Sequence, residues 1–250
     1  QSKTSIAVRP ALNFIFVIDE SISAKGSLLA AKSAIKGFLK TLDKSKDKVA
    51  IIGFGFKARL LQNLTGDFAL AQKASDKIVS AGSSQNITGG LQRAREIIKT
   101  LPVSSTAKPS RNIIVLISNG VANANSKGAC LKSEAYPTNQ SMCTRDAFVQ
   151  AFSAKFLDKN PAKIYAIGYN FSQTDKIKAK AGAFARNSLK SLVSAPEMFF
   201  ESDNLSKLSA NLAQILKNEI SPIKECSDSF ARVQLASGII YSSAITSPSV

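Results

Sequence analysis

The chain has 250 residues, 44% of them hydrophobic, which is enough for one sizeable α/β core and short for two. It contains no histidine, so Ser-His-Asp and Cys-His catalysis and His-based zinc sites are excluded. Its 33 Lys and Arg against 17 Asp and Glu leave a formal charge of +16, a field that attracts acidic glycans, anionic surfaces or nucleic acid. The lysines are spread along the chain, there is no Trp, and the four Tyr do not interleave with a basic run. The charge therefore reads first as a lysine-rich solvated surface, and nucleic acid is disfavoured as a partner.

Gln1 in place of Met is what removal of a signal or anchor leaves, and equally what trimming leaves. No apolar run approaches the ~18 to 20 residues needed to cross a bilayer, so no direct membrane insertion is expected. In chain order, apolar runs predict strands at Phe14 to Ile18, Val49 to Phe54, Ile113 to Ile117, Ile164 to Ile167 and Met198 to Phe200, with a short extra one near Arg59 to Leu61. Between them lie helical stripes: Leu28, Ala31, Ile35, Phe38 and Leu42; Leu91, Ala94, Ile98 and Leu101; Leu205, Leu208, Leu212 and Ile215. Strands alternating with helices predict a parallel sheet covered on both faces. Pro102 and the polar stretch through Ser110 end the second stripe.

A long connection from Asn119 to Thr144 has no sustained period, and connections of that length are usually functional or disordered. It holds Cys130 and Cys143, which in an oxidising compartment could close a short loop worth ~3 kcal/mol. Cys226 would then be free or paired with another chain; three reduced thiols in a cytosolic protein are the alternative. The expected organisation is an N-terminal extension at 1–10, one domain at 11–220 and a Ser-rich C-terminal extension or linker at 221–250, whose short run Ile239-Ile240-Tyr241 suits a strand that packs back or pairs with a neighbour. There is no internal repeat.

In an open parallel sheet, ligands bind beyond the carboxyl ends of the strands, near the switch in strand order. Three segments should meet there: Asp19 to Ser23, Gln85 to Leu91, and Ser118-Asn119-Gly120. Asp19-Glu20-Ser21-Ile22-Ser23 places one carboxylate and two hydroxyls at alternating positions where a buried strand emerges, an oxygen set suited to a hard divalent cation. The competing role for these residues is capping of a helix beginning near Ala24, worth ~1 kcal/mol. Glu20 is expected to point away as a solvated carboxylate, and it is the nearest candidate to add charge.

These segments, in this order and spacing, resemble the von Willebrand factor A domain with its metal-ion-dependent adhesion site, and the stapled insert is similar to that of such domains in bacterial pilus and tight-adherence systems. Asp19, Ser21 and Ser23 match the family's D-x-S-x-S; Met198-Phe199-Phe200, Asp203-Asn204-Leu205 and the Leu208/Leu212/Ile215 stripe look like its closing elements. The resemblance spans about residues 10 to 220. It implies an α/β, Rossmann-like fold: a central, mostly parallel sheet with one short antiparallel edge strand and helices on both faces. It also implies Mg²⁺ or Mn²⁺ with a coordination position open to an acidic partner side chain. Asp19, Ser21, Ser23, Gln85, Thr88 and Asn119 are the candidate metal residues, and Cys130 and Cys143 the candidate disulfide.

Two departures matter. Gln85 stands at the family's threonine position six residues before Leu91, with Thr88 three residues on, and Asn119-Gly120 stands where the family usually has Asp before Gly. Each carboxylate removed takes away charge that offsets dehydration of the ion. The expectation is a weakened site dependent on a partner carboxylate or on high metal concentration, or else an empty one.

The leading functional expectation is a non-enzymatic extracellular or cell-surface adhesion module, pilus-associated. It would bind a protein, an anionic glycan or another pilus subunit through the strand-end face and the 119–144 loop. A structural subunit of a surface filament, joined by strand addition from the C-terminal tail, is one alternative. An intracellular scaffold for a chelatase-type ATPase or a nucleic-acid complex is the other. Ser21 lacks a base, which argues against an enzyme. Gly53-Phe54-Gly55 lacks the third glycine of a dinucleotide fingerprint, and no phosphate-binding loop motif occurs. Glycosylation sequons fall at Asn63, Asn86, Asn139, Asn170 and Asn204, and a glycan on Asn86 would crowd the proposed site.

Overall fold

The structure, a computed structural model, describes residues 9–104, 110–120, 122–125, 127–130, 141–171, 176–202, 207–220, 230–234 and 240–244. Cys226, the Asp203-Asn204-Leu205 segment and the Asn139 sequon lie outside them. Along the chain run β1 (Ala11–Asp19), a 3-10 turn (Ile22–Ser27), α1 (Leu28–Leu39), β2 (Lys48–Phe54), β3 (Ala58–Thr65), α2 (Phe68–Asp76) and α3 (Ile87–Lys99). Then come β4 (Ser110–Ser118), the short β5 (Ala124–Asn125) and β6 (Gly128–Ala129), and α4 (Ser141–Phe152), extended by a π turn (Ser153–Leu157). The chain continues through β7 (Ala162–Tyr169), α5 (Lys176–Leu192), β8 (Phe199–Ser202), α6 (Leu208–Ile220), β9 (Phe230–Gln234) and β10 (Ile240–Ala244).

Six strands form one sheet in the order β3-β2-β1-β4-β7-β8. All neighbours are parallel except β2 and β3, so the sheet is mostly parallel with one antiparallel edge strand. The order follows from the sequence of β1. Strands buried on both faces read as continuous apolar runs, and every residue from Leu12 to Ile18 is buried, Asn13 included. Leu12, Phe14, Phe16 and Ile18 face α1, α2 and α6, with Phe38 edge-on to both phenyl rings. Ile15 and Val17 face α3, α4 and α5. Each such side chain contributes about 2 kcal/mol of burial, which makes β1 the natural centre.

Register brings the strand ends level. Ile18 lies beside Ile117, Asp19 beside Phe54, and Ser118 beside Gly168. Because β2 lies on one side of β1 and β4 on the other, the order switches between β1 and β4, and the crevice opens beyond Asp19 and Ser118.

Several elements depart from expectation. β3 runs to Thr65, far past Leu61, because an edge strand with most residues part-exposed carries no long apolar run. The helices α2, α4 and α5 were not marked by strong stripes: α2 buries Phe68, Ala71 and Ala74 behind an Asp67 cap, and α4 buries Cys143, Ala147 and Ala151. The 119–144 connection carries the β5–β6 pair, α4 begins within it at Ser141, and Cys130 is joined to Cys143 by a disulfide with Cα atoms 6.0 Å apart. β9 and β10 pair antiparallel as a separate two-stranded sheet. Among the described residues, no helix is long and apolar enough to cross a membrane.

Candidate functional site

Asp19 ends β1 with its carboxylate buried, 1% exposed. Its Oδ1 accepts from the Ser21 backbone N–H at 2.9 Å, and its Oδ2 from the Ser118 hydroxyl at 2.7 Å and from Gln85 Nε2 at 3.2 Å. Burial pushes this carboxyl above the ordinary carboxylate range, while hydrogen bonds from Ser21, Ser118 and Asn119 pull against it. Burial, reinforced by the charge on Asp19, also pushes the Tyr169 hydroxyl up.

The hydroxyls of Ser21 and Ser23 are bonded to each other at 2.8 Å, and Ser23 Oγ lies 3.2 Å from Asn119 Oδ1. Neither serine caps a helix: Ser21 precedes the 3-10 turn without a side-chain cap bond, so the capping role is not what these residues perform. Asn119 donates from Nδ2 to the Ser23 carbonyl at 2.9 Å, which turns its Oδ1 toward the centre of the cluster.

That centre is filled by Gln85. Its Nε2 lies 2.9 Å from Asn119 Oδ1, 3.2 Å from Asp19 Oδ2, 3.2 Å from Ser23 Oγ and 3.4 Å from Ser21 Oγ. The Gln85 backbone is clamped on both sides by one residue: its N–H donates to Asn123 Oδ1 at 2.6 Å, and its carbonyl accepts from the Asn123 N–H at 3.1 Å. Gly120 makes the room, since a Cβ there would overlap the Gln85 amide.

Of the six candidate metal residues, the fold gathers Asp19, Ser21, Ser23, Gln85 and Asn119. Thr88 is turned away, its hydroxyl donating to the Cys143 carbonyl at 3.4 Å from within α3. Glu20 is not solvated. It is 0% exposed, lies over Gly53, accepts from Arg59 at 2.7 and 3.1 Å and from the Val79 N–H at 3.0 Å, and adds no charge to the cluster. Successive side chains of a strand point to opposite faces, so the residue beside Asp19 is carried away from it. Asn86 is buried and occupied as the α3 cap, accepting from Gly89 N–H at 2.7 Å and donating to the Phe56 carbonyl at 3.0 Å, which leaves no amide free for a glycan. Ser118 joins the cluster through its hydroxyl, and its place at a strand end one step past Ile117 is the signal that the sequence carries for it. Asn123 had none.

As arranged, these residues do not fit a divalent cation. The oxygens face an N–H donor at 2.9–3.4 Å, whereas Mg²⁺ holds its ligands at about 2.0–2.1 Å. One carboxylate serves the cluster, and among the described residues no three carboxylate or thiol side chains gather as a metal-holding group.

A mostly parallel sheet, helices on both faces and a polar cluster at the β1/β4 crevice define a Rossmann-like α/β module with a strand-end site. Residues 14–121 match the von Willebrand factor type A domain family, and the chain has that domain's fold. Among solved structures, the vWF domain of the type V pili tip protein Mfa5 from Porphyromonas gingivalis is 18% identical with a TM-score of 0.63, the match covering 89% of this chain and 100% of that one. The pilus adhesin SpaC from Lactobacillus rhamnosus GG, in its open conformation, is 16% identical with a TM-score of 0.62 over 85% of this chain and 30% of that one. Proximal thread matrix protein 1 from the mussel byssus, with a zinc-occupied adhesion-site motif, is 20% identical with a TM-score of 0.56 over 86% of this chain and 48% of that one. The chain thus spans the whole of the first domain but less than half of the other two proteins. At these identities the likeness is one of fold. No curated protein matches the sequence.

Proposed function

We propose that this chain is a non-enzymatic protein-interaction module of a pilus-type surface assembly, displayed at the cell surface and binding its partner through the face beyond β1 and β4. The carrying observation is the strand-end cluster. Ser23 is exposed and Asn119 part-exposed at its rim, beside the exposed Ile22 and Lys25, while Asp19, Ser21, Gln85 and Ser118 form a buried, fully bonded floor. Adaptable polar groups on a rigid base are what recognition loops require. The pilus proteins among the structural neighbours support the surface setting, and the charge of +16 favours a partner with acidic side chains or an anionic glycan. Ser21 is bonded to Ser23 and has no base, which supports a binding role over a catalytic one.

The test is binding of the purified chain to sheared surface filaments of the source cells, compared with Ser23→Arg. Saturable binding that weakens at least about tenfold in the variant, the loss of ~1.4 kcal/mol expected of a contact residue, supports the proposal. Binding indifferent to Ser23→Arg, or no preference over an intracellular fraction, sinks it. A second reading, a filament subunit joined by strand addition, is favoured by β9 and β10 forming their own two-stranded sheet, since such a hairpin is marginal alone. Concentration-dependent assembly of the full chain would support that one.

A further inference from the structure

We infer that the Gln85 side-chain amide is the resident occupant of the strand-end centre, an internal substitute for a cation that by itself closes the site to divalent metal. Four oxygens from two separate segments, Asp19 to Ser23 and Asn119, converge on one nitrogen, Nε2, supplied by a third. The polarity of that group is set by its surroundings. Asp19 already accepts from the Ser21 N–H and the Ser118 hydroxyl, and Asn119 has committed its own NH₂ to the Ser23 carbonyl, so the amide face turned to both is the donor.

The amide supplies partial positive charge where the oxygens need it, without the dehydration cost of an ion. Its position is built, not incidental. The Asn123 clamp fixes the Gln85 backbone on both sides, and the missing side chain at Gly120 leaves the volume that the amide fills. A cation could enter only if Gln85 withdrew, giving up its bonds to Asp19 and Asn119 inside a site where Gln85 is 6% exposed. Removing that one side chain leaves Asp19, Ser21, Ser23 and Asn119 oxygens around an opened volume. Under the recognition proposed above, on which this consequence alone rests, partner binding is insensitive to chelators.

The experiment is a calorimetric titration of the full chain with Mn²⁺ alone, in wild type, Gln85→Ala and Gln85→Ala/Asp19→Asn. The expected result is no saturable binding in wild type at millimolar ion. Gln85→Ala should bind with Kd on the order of 10⁻⁴ to 10⁻³ M, the range of weak extracellular oxygen sites, and the double variant should lose it. Should Gln85→Ala not fold, Gln85→Glu keeps the shape but replaces the donor with a carboxylate, and its melting temperature should rise with Mn²⁺ while that of wild type stays fixed. In wild type, the side-chain NH₂ resonances that vanish in Gln85→Glu should be protected from exchange with water. Mn²⁺ binding by wild type that Asp19→Asn abolishes overturns the inference, as does failure of both Gln85 variants to gain it. The titration reads the centre alone and is independent of whether filaments are the partner.

Discussion

The two ends of the sheet both bury carboxylates but satisfy them differently. At the amino ends, Glu219 is 0% exposed and accepts from Lys163 at 3.0 and 3.2 Å, from the Tyr165 hydroxyl at 2.6 Å and from Arg111 at 3.4 Å. Asp47, one residue before β2, takes both nitrogens of Arg9 at 2.9 and 2.7 Å and the backbone N–H groups of Leu12 and Asp43. At the carboxyl ends, the hydrogen-bond partners described for Asp19 are all neutral: a hydroxyl, a side-chain amide and a backbone N–H. Glu20, one residue on, is paired with Arg59 like the carboxylates at the far end. The amino end thus uses charge pairs to tie α6 and the first strand to the sheet. The carboxyl end keeps one charge compensated by dipoles alone, an arrangement that costs stability and is characteristic of functional positions.

The largest expected effect comes from breaking the paired end. Glu219→Ala removes the carboxylate that faces Arg111, Lys163 and the Tyr165 hydroxyl, leaving Arg111 only its 2.6 Å bond to the backbone carbonyl of Glu219. Removing one partner of a buried pair costs about 3 to 5 kcal/mol, and the 44% exposure of the Lys163 side chain places this case at the low end of that range. Guanidinium unfolding measures it. A loss under about 1 kcal/mol would mean that the amino end is no more firmly held than the site.

Next comes the support of the site itself. Cys130 donates its backbone N–H to the Asn123 carbonyl at 2.8 Å, and Asn123 clamps Gln85. The disulfide to Cys143 therefore holds the segment that positions the central amide. Cys130→Ser should cost about 2 to 3 kcal/mol from the loop closed by a 13-residue separation. The same variant should also speed water exchange at the Gln85 side-chain NH₂, which Glu219→Ala should leave unchanged. Equal exchange in both variants would break the assignment of the disulfide to the site end.

Which of these features the sequence disclosed depends on how each is held. Strands buried on both faces announce themselves as apolar runs, and Phe14 to Ile18 and Ile113 to Ile117 were legible for that reason. The helices α2 and α4 cover the sheet with Ala71, Ala74, Ala147 and Ala151, residues too small to raise a stripe above background. Asp19, Ser21, Ser23, Gln85 and Asn119 could be brought together on paper because strand-end position fixes their place. The aim of a side chain could not. Gln85 points inward because Asn123, 38 residues away, grips its backbone, and Glu20 turns from the cluster because Arg59 waits across β2 and β3. Both are long-range contacts without a local pattern.

The smallest change is the most diagnostic. Asp19→Asn preserves shape, relieves the burial of a charge and loses one acceptor, since the new amide nitrogen meets Gln85 Nε2 donor to donor. The opposing terms should leave stability within about 1 kcal/mol of wild type at neutral pH. Their pH dependence separates them. Burial raises the Asp19 carboxyl in the folded state above its unfolded value, so its favourable contribution is complete below the ordinary carboxylate range and is lost as pH rises through the raised folded value. Wild type should therefore weaken relative to Asp19→Asn as pH climbs from about 4 toward neutrality. Asp158 gives the opposite slope: burial pushes it up, but Arg95 and Lys99 outweigh that and hold it low, so its contribution is lost as pH falls. Denaturant midpoints of wild type and Asp19→Asn between pH 4 and 7 measure the difference. Wild type gaining stability relative to Asp19→Asn as pH rises would mean that Asp19 has an ionic partner after all, and that the two ends of the sheet are built alike.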